Sequence, residues 1–222
     1  MKRLALALLF PLSAFPSSLF SFGVKGGVPL TDAFDVATTG QFQYVNDTQR
    51  YTVGPEVDLN LPFGLGVEVD ALYRKLQYDL NSSTVTCGLP CGTGPVVSRT
   101  TTSADAWDFP LLLKLRLGEG PIKPYVSGGP TFRDLSNLSQ VENFFTGFSR
   151  SGTAASTTRP AELNNTFATG ATIGGGIQLG LGVLRISPEI RFTRWGWNTF
   201  SDITGVFRSN PNQVDFLVGI TF

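Results

Sequence analysis

The chain closes on the sequence Val214-Asp215-Phe216-Leu217-Val218-Gly219-Ile220-Thr221-Phe222, in which every second residue is hydrophobic. Successive side chains of a β-strand point to opposite faces, so the residues from Val214 to Phe222 at even positions share one face. A strand with this pattern needs an apolar environment on one side only. One segment alone also fits a half-buried sheet of a soluble protein, so the rest of the chain must decide.

The N-terminus has the features of a secretory signal peptide. A basic start, Met1-Lys2-Arg3, precedes an apolar run over residues 4–12, which is too short to span a bilayer. We expect a signal peptide over residues 1–21 and a mature domain over residues 22–222. Cleavage after Ala14, Ser18 or Ser21 fits the sequence, which contains no clear small-x-small site.

The composition excludes several classes of protein. Lysine plus arginine and aspartate plus glutamate both total 17, so no global field attracts nucleic acid. Outside the N-terminal run, no stretch approaches the roughly 18 apolar residues that a spanning helix needs. The 25 glycines and 18 phenylalanines favour pleated strands and tight turns over packed helices.

Period-2 alternation recurs in eight segments of the chain. They cover roughly residues 20–29, 50–61, 64–79, 105–117, 123–135, 166–181, 183–195 and 212–222. The connections alternate strictly: short turns follow the second, fourth and sixth segments, and long polar stretches fill residues 30–49, 80–104, 136–165 and 196–211. This alternation is typical of an eight-stranded antiparallel up-and-down transmembrane β-barrel, an all-β fold with short periplasmic turns and long outer loops.

Aromatic residues stand at the segment ends, where a bilayer interface favours them. The long-loop ends carry Tyr51, Trp107, Phe167, Phe192, Trp195 and Trp197, and the short-turn ends carry Phe22, Phe63 and Phe222.

The charged residues of the eight segments fall on the face opposite the hydrophobic one. We expect a lumen charge network of Lys25, Glu56, Asp58, Glu68, Asp70, Arg74, Lys114, Arg116, Arg133, Arg185, Glu189 and Arg191, to which Lys123, Asp108 and Asp215 add on the same face. Eight strands leave an interior just wide enough for side chains, so near-balanced charges would pair and block it. The same charges on the outside of a soluble, lipocalin-like barrel are the alternative.

Candidate catalytic and metal sites are weak. Glu56-x-Asp58 and Glu68-x-Asp70 place two carboxylates each on adjacent strands, but we favour pairing with lumen cations over metal binding or acid–base chemistry. The chain has no histidine, on which the known membrane-barrel proteases, lipid A deacylases and palmitoyl transferases rely. We therefore predict no enzyme activity and no cofactor. Cys87 and Cys91 are expected to form a disulfide, the default for two nearby cysteines in an exported chain.

By these features the mature chain resembles the small eight-stranded outer-membrane barrels of Gram-negative bacteria, the OmpA-like and OmpX-like group known as the outer-membrane protein β-barrel domain or opacity-type porin family. The resemblance implies residence in outer-membrane lipid. It also implies that the last strand, with Phe216, Val218, Ile220 and Phe222, is the signal read by the barrel-assembly machinery. Family members include structural anchors, adhesins and surface antigens.

The resemblance favours a monomeric, non-enzymatic barrel that contacts extracellular partners through its loops. A narrow pore or transporter for small solutes is the first alternative. A soluble periplasmic lipocalin-like carrier is the second.

Overall fold

The computed structural model describes residues 19–36, 42–84, 96–118, 120–146, 149–150, 155–202 and 206–222. Within these ranges the strands are β1 (Phe20–Pro29), β2 (Phe34–Val36), β3 (Phe42–Asn46), β4 (Thr52–Asn60), β5 (Leu65–Asp70), β6 (Leu72–Thr84), β7 (Val96–Arg116), β8 (Ile122–Thr146), β9 (Ser149–Arg150), β10 (Ala155–Thr157), β11 (Phe167–Leu181), β12 (Leu184–Trp195), β13 (Phe207–Ser209) and β14 (Asn212–Thr221). No described helix is long and apolar enough to cross a bilayer.

The sheet closes on itself as an eight-stranded antiparallel barrel. The first strand, β1, pairs with β4 on one side and with the last strand, β14, on the other. We call each of the eight strands around the barrel wall a stave. In chain order the staves are β1, β4, β5 together with β6, then β7, β8, β11, β12 and β14. The segments β5 and β6 form one stave interrupted at Ala71. The predicted fold class is confirmed, and closure removes the unpaired edges of an open sheet.

Short turns lie at one end of the barrel. A single 3-10 turn, Pro62–Gly64, joins β4 to β5. Gly182 and Val183 join β11 to β12, and Gly182 has a φ of 72°, which a residue without Cβ adopts at no steric cost. These turns place the N-terminal end of β1 and the C-terminal end of β14 at the same, short-turn rim.

Three staves are longer than the sequence predicts. The hairpin of β6 and β7 stays paired out to Thr84 and Val96, and the pairing of β7 with β8 reaches Thr146. The stretches 80–104 and 136–165, interpreted as loops, are thus partly strand. The residues of these extensions are mainly polar, so the hydrophobic alternation that marks a bilayer-spanning strand is missing there.

The hydrophobic face of each stave points outward. Exposed apolar side chains include Val24, Val53, Leu111, Leu113, Ile173, Ile190 and Phe216. The aromatic residues predicted at the strand ends are also exposed, with two exceptions: Trp195 is buried inside the barrel and Phe192 is half-buried. The outer surface therefore presents the apolar band that a bilayer requires.

An apolar core fills the long-loop end of the barrel. The short strands β2 and β13 pair with each other across the mouth. Phe207 is fully buried there, with ring centroids 4.4 Å from Tyr78, 4.6 Å from Tyr44 and 5.1 Å from Phe34. We call this the outer cap; its buried members are Ala33, Phe34, Tyr44, Leu76, Tyr78, Ala104, Ala106, Leu135, Phe200 and Phe207. The sequence pattern did not indicate it.

Candidate functional site in the barrel interior

The interior of the barrel holds charged side chains from every described stave except β11. Alternation along each strand turns them inward, because the opposite face carries the lipid-facing residues. The buried members of the predicted network are Lys25, Glu56, Asp58, Glu68, Asp70, Arg74, Lys114, Arg133, Glu189 and Arg191. The predicted soluble alternative required these charges on the outside around an apolar lumen; the arrangement is the reverse.

The central cluster is built around Lys25 and Glu68. Lys25 Nζ lies 2.6 Å from Glu68 Oε1, 3.1 Å from Glu56 Oε1 and 3.6 Å from Asp70 Oδ2. Glu68 also pairs with Lys114 and with Arg191. One carboxylate therefore contacts three cations that come from three other staves, which ties opposite sides of the barrel together.

Arg191 and Lys114 complete this cluster. Arg191 Nη1 donates to Asp70 Oδ2 at 2.6 Å and its Nε pairs with Glu189. Lys114 Nζ lies 3.2 Å from both oxygens of Asp58. Pairing of this kind satisfies charges that would otherwise be expensive to bury.

A second cluster lies toward the outer cap. Arg133 binds Asp108 through two bonds, Nε to Oδ1 at 2.6 Å and Nη2 to Oδ2 at 2.8 Å. Arg74 lies 3.3 Å from Asp108 and 3.1 Å from Asp215. The two guanidinium groups and two carboxylates match in number, and the paired bonds of Arg133 have the planar geometry that suits arginine.

The two remaining predicted members lie near the short-turn rim. Arg116 Nη2 reaches Asp58 Oδ2 at 3.2 Å and so joins the central cluster at its edge. Arg185 differs from the expectation: its Nη1 donates to Ser21 Oγ at 2.6 Å, and no carboxylate of the described residues lies within ion-pair distance of it. Arg185 comes from the rim end of β12, which places it outside both paired clusters.

Oxygens of Glu56, Asp58 and Glu68 lie within 4.8 Å of one another, close enough to share a cation. Lys25 and Lys114 already contact these carboxylates. The arrangement neutralises the carboxylates with ammonium groups.

Several polar residues of the interior were missed by the sequence analysis. Tyr125 donates its hydroxyl to Glu189 Oε2 at 2.6 Å, and Gln213 Oε1 accepts from Arg133 at 3.0 Å. The ring of Trp195 lies 4.1 Å from the Arg133 guanidinium carbon. All three occupy the inward phase of their strands, so the period-2 pattern could have identified them had uncharged residues been included.

The other predicted sites are placed as follows. Phe216, Ile220 and Phe222 are exposed on the outer face of the last strand, and Val218 is half-buried beside them. Cys87 and Cys91 lie outside the described residues, so their pairing stays a prediction.

A closed barrel with an apolar exterior and a charged, paired interior defines a membrane-embedded β-barrel protein of the outer-membrane class. The sequence profile of the outer membrane protein beta-barrel domain matches residues 13–200, and the chain belongs to that family. It is an outer-membrane protein. Outer-membrane barrels have short periplasmic turns and longer outer loops, so we expect the short-turn rim to face the periplasm and the outer cap to face the cell exterior.

Solved structures similar to this chain are outer-membrane proteins. They include OprG of Pseudomonas aeruginosa (16% identity, 92% of this chain and 97% of that chain, TM-score 0.46). Neisserial surface protein A is 8% identical (91% and 95% covered, TM-score 0.37), and the attachment invasion locus protein Ail of Yersinia pestis is 9% identical (91% and 98% covered, TM-score 0.32). A comparison with curated protein sequences finds no match.

Proposed function

We propose that this protein is a non-enzymatic outer-membrane barrel with an occluded lumen, serving a structural or surface-interaction role through its long outer loops. The observation that carries the proposal is the contact of Glu68 with Lys25, Lys114 and Arg191, which joins four staves across the interior. A conducting path would have to separate these charges, and breaking buried pairs is costly.

The space left inside the barrel also supports occlusion. A void between the two charged clusters, lined by residues including Arg74, Thr131 and Leu217, has a volume of about 20 Å³. This is room for about one water molecule. Above it, the outer cap adds buried aromatic rings, which exclude water from the extracellular mouth.

Planar-bilayer recording tests the proposal directly. Folded wild-type protein, verified by heat-modifiable migration on gels, should give no steady conductance. The alternative, a narrow pore for small solutes, predicts steady conductance that changes with Arg185→Gln or Glu68→Gln. Steady, charge-dependent conductance of the folded wild type would overturn occlusion and establish the pore.

The absence of enzyme activity is part of the same proposal. The chain has no histidine, and the interior carboxylates are engaged by lysine and arginine. Incubation of the folded barrel with phospholipid, lipopolysaccharide and peptide substrates should leave them unchanged. Turnover of any of these substrates that persists through repurification and is lost in Glu68→Gln would contradict the proposed absence of enzyme activity.

The surface role is assigned to the outer segments 80–104 and 136–165. A variant in which residues 85–95 are replaced by a short Gly-Ser linker separates the two roles. Restoration of envelope integrity in a deletion strain would support a structural role, because the barrel alone suffices. Failure, with normal amounts of barrel in the outer membrane, would support an interaction carried by the segment.

We also propose that residues 1–21 include the signal peptide and that the barrel acts as a monomer. Among the cleavage candidates, Ala14 and Ser18 fit better than Ser21, because the Ser21 hydroxyl accepts bonds from Arg185 and from Asn60 inside the barrel. N-terminal sequencing of the outer-membrane form tests the cleavage position. Light scattering in detergent tests the oligomeric state.

A further inference from the structure

A cavity of about 450 Å³ opens at the periplasmic rim of the barrel. Its size falls in the range of cavities that hold small-molecule ligands. Its lining includes three cations, Arg116, Lys123 and Arg185, and two amides, Asn60 and Gln178, and its described lining contains no carboxylate. The outer end of the barrel is filled by the outer cap.

The three cations differ from those deeper in the barrel in how they are neutralised. Among the described residues, Lys123 and Arg185 have no carboxylate within ion-pair distance, whereas Arg116 shares Asp58 with Lys114. The Arg116 side chain is 8% exposed and is held by Gln178 Oε1, 3.0 Å from its Nε. The cavity thus combines one fixed guanidinium with two cations that have no ion-pair partner among the described residues.

The charge of the central cluster does not cancel the positive charge of the cavity at the rim. Counting Arg116, four cations face five carboxylates there: Lys25, Lys114, Arg116 and Arg191 against Glu56, Asp58, Glu68, Asp70 and Glu189. Within the described part of the chain, the surplus carboxylate offsets only one of the two positive charges of Lys123 and Arg185, and both of these residues lie at the rim. A cleft lined by one sign of charge, with protein walls of low dielectric, focuses the field on ions of the opposite sign.

We propose that this periplasmic cavity binds a small solute bearing an oxyanion, such as a phosphate group, through Arg116, Lys123 and Arg185. Guanidinium groups match the geometry of phosphate oxygens, and a lysine adds a mobile point charge. The amides of Asn60 and Gln178 are positioned beside them. The inference rests on the fold and the cavity and holds whether or not the lumen conducts.

Calorimetric titration of the full-length folded barrel with inorganic phosphate tests this inference. The protein is held in neutral phosphatidylcholine nanodiscs at low ionic strength. We expect saturable binding that weakens as sodium chloride is added. Lys123→Gln combined with Arg185→Gln should weaken it at least tenfold. Neither residue pairs with a buried carboxylate among the described residues, so the barrel should still fold and migrate as a heat-modifiable band.

The matched control is Arg159→Gln, which removes one exposed positive charge on the extracellular side and should leave binding unchanged. Nanodiscs containing phosphatidylglycerol distinguish the source of the oxyanion. Displacement of phosphate by this lipid identifies a headgroup as the ligand, and no displacement identifies a free solute. Absence of saturable phosphate binding to the wild type, or equal binding by the folded double variant, would overturn the inference.

Discussion

Lys25 and Glu68 meet inside the barrel at 2.6 Å although a whole stave, β4, separates their strands. Both side chains are fully buried. The contact passes over β4 on the inner face of the sheet, so it depends on the curvature and the register of the sheet. Glu56 also lies near Lys25, at 3.1 Å, but Arg191 pairs with Glu68 and not with Glu56. The two glutamates are therefore unequal in their contacts.

Replacement of Glu68 should strongly destabilise the barrel. Glu68→Gln removes the carboxylate that contacts Lys25, Lys114 and Arg191 together, so it breaks three buried ion pairs at once. The expected loss is about 3 to 5 kcal/mol in the free energy of unfolding. Urea unfolding in lipid vesicles, followed by tryptophan fluorescence, measures it.

Glu56→Gln is the matched control and should lower the free energy of unfolding by less than Glu68→Gln does, because it breaks fewer and longer buried ion pairs. Glu56 contacts two cations, Lys25 at 3.1 Å and Lys114 at 3.8 Å, and it has no contact with Arg191 among the described ion pairs. Equal losses for the two variants would show that the contacts of Glu68 carry no special weight.

Removal of the Phe207 ring should open the outer cap without unfolding the barrel. Phe207→Ala deletes a fully buried ring, which costs about 3 to 5 kcal/mol when the cavity does not collapse. We expect faster hydrogen exchange in residues 30–36 and 206–211, with exchange in β11 and β12 unchanged as the internal reference. Exchange that rises equally in the cap and in these staves would contradict the prediction.

The outer cap should loosen at alkaline pH. Burial, together with the nearby carboxylates of Glu162 and Asp202, raises the pKa of Tyr44 from 10.0 to about 12. Since the opened segment ionises at the lower value, the stabilisation present below pH 10 is lost progressively as the pH rises to about 12. Ultraviolet titration of tyrosinate in wild type and Tyr44→Phe isolates this transition. Glu162→Gln should shift the ionisation of Tyr44 to lower pH. An unshifted transition would show that the Glu162 carboxylate does not raise the pKa of Tyr44.

The terminal aromatic should matter for assembly more than for stability. Phe222 is exposed at the short-turn rim, and its backbone N–H donates to Phe22 O at 2.9 Å. Phe222→Ala retains that backbone bond, so refolding into detergent should be unchanged, whereas the amount assembled in cells should fall several-fold. Phe63→Ala, an exposed ring at the same rim, is the control. Normal assembly of Phe222→Ala would exclude the signal role.

The order of residues along the chain was enough to predict the barrel, and the reason is the contrast between two environments. A strand between lipid and a polar interior must alternate, and eight such segments with alternating loop lengths fit one closed topology. The same alternation identified the inward charges from Lys25 to Arg191. The alternation of hydrophobic and polar residues does not continue into the polar ends of β7 and β8, because no bilayer imposes such a pattern there.

The pairing of these charges emerges only in the folded barrel, because partners such as Lys25 and Glu68 lie on staves whose separation in the interior depends on closure and register. Closure and register also determine the position of Arg185, which lies at the rim beside Ser21 and outside the paired clusters. The outer cap is a further case: β2 and β13 have three residues each, too few for a periodic signal. Their aromatic rings meet only after the first and last loops converge over the barrel mouth.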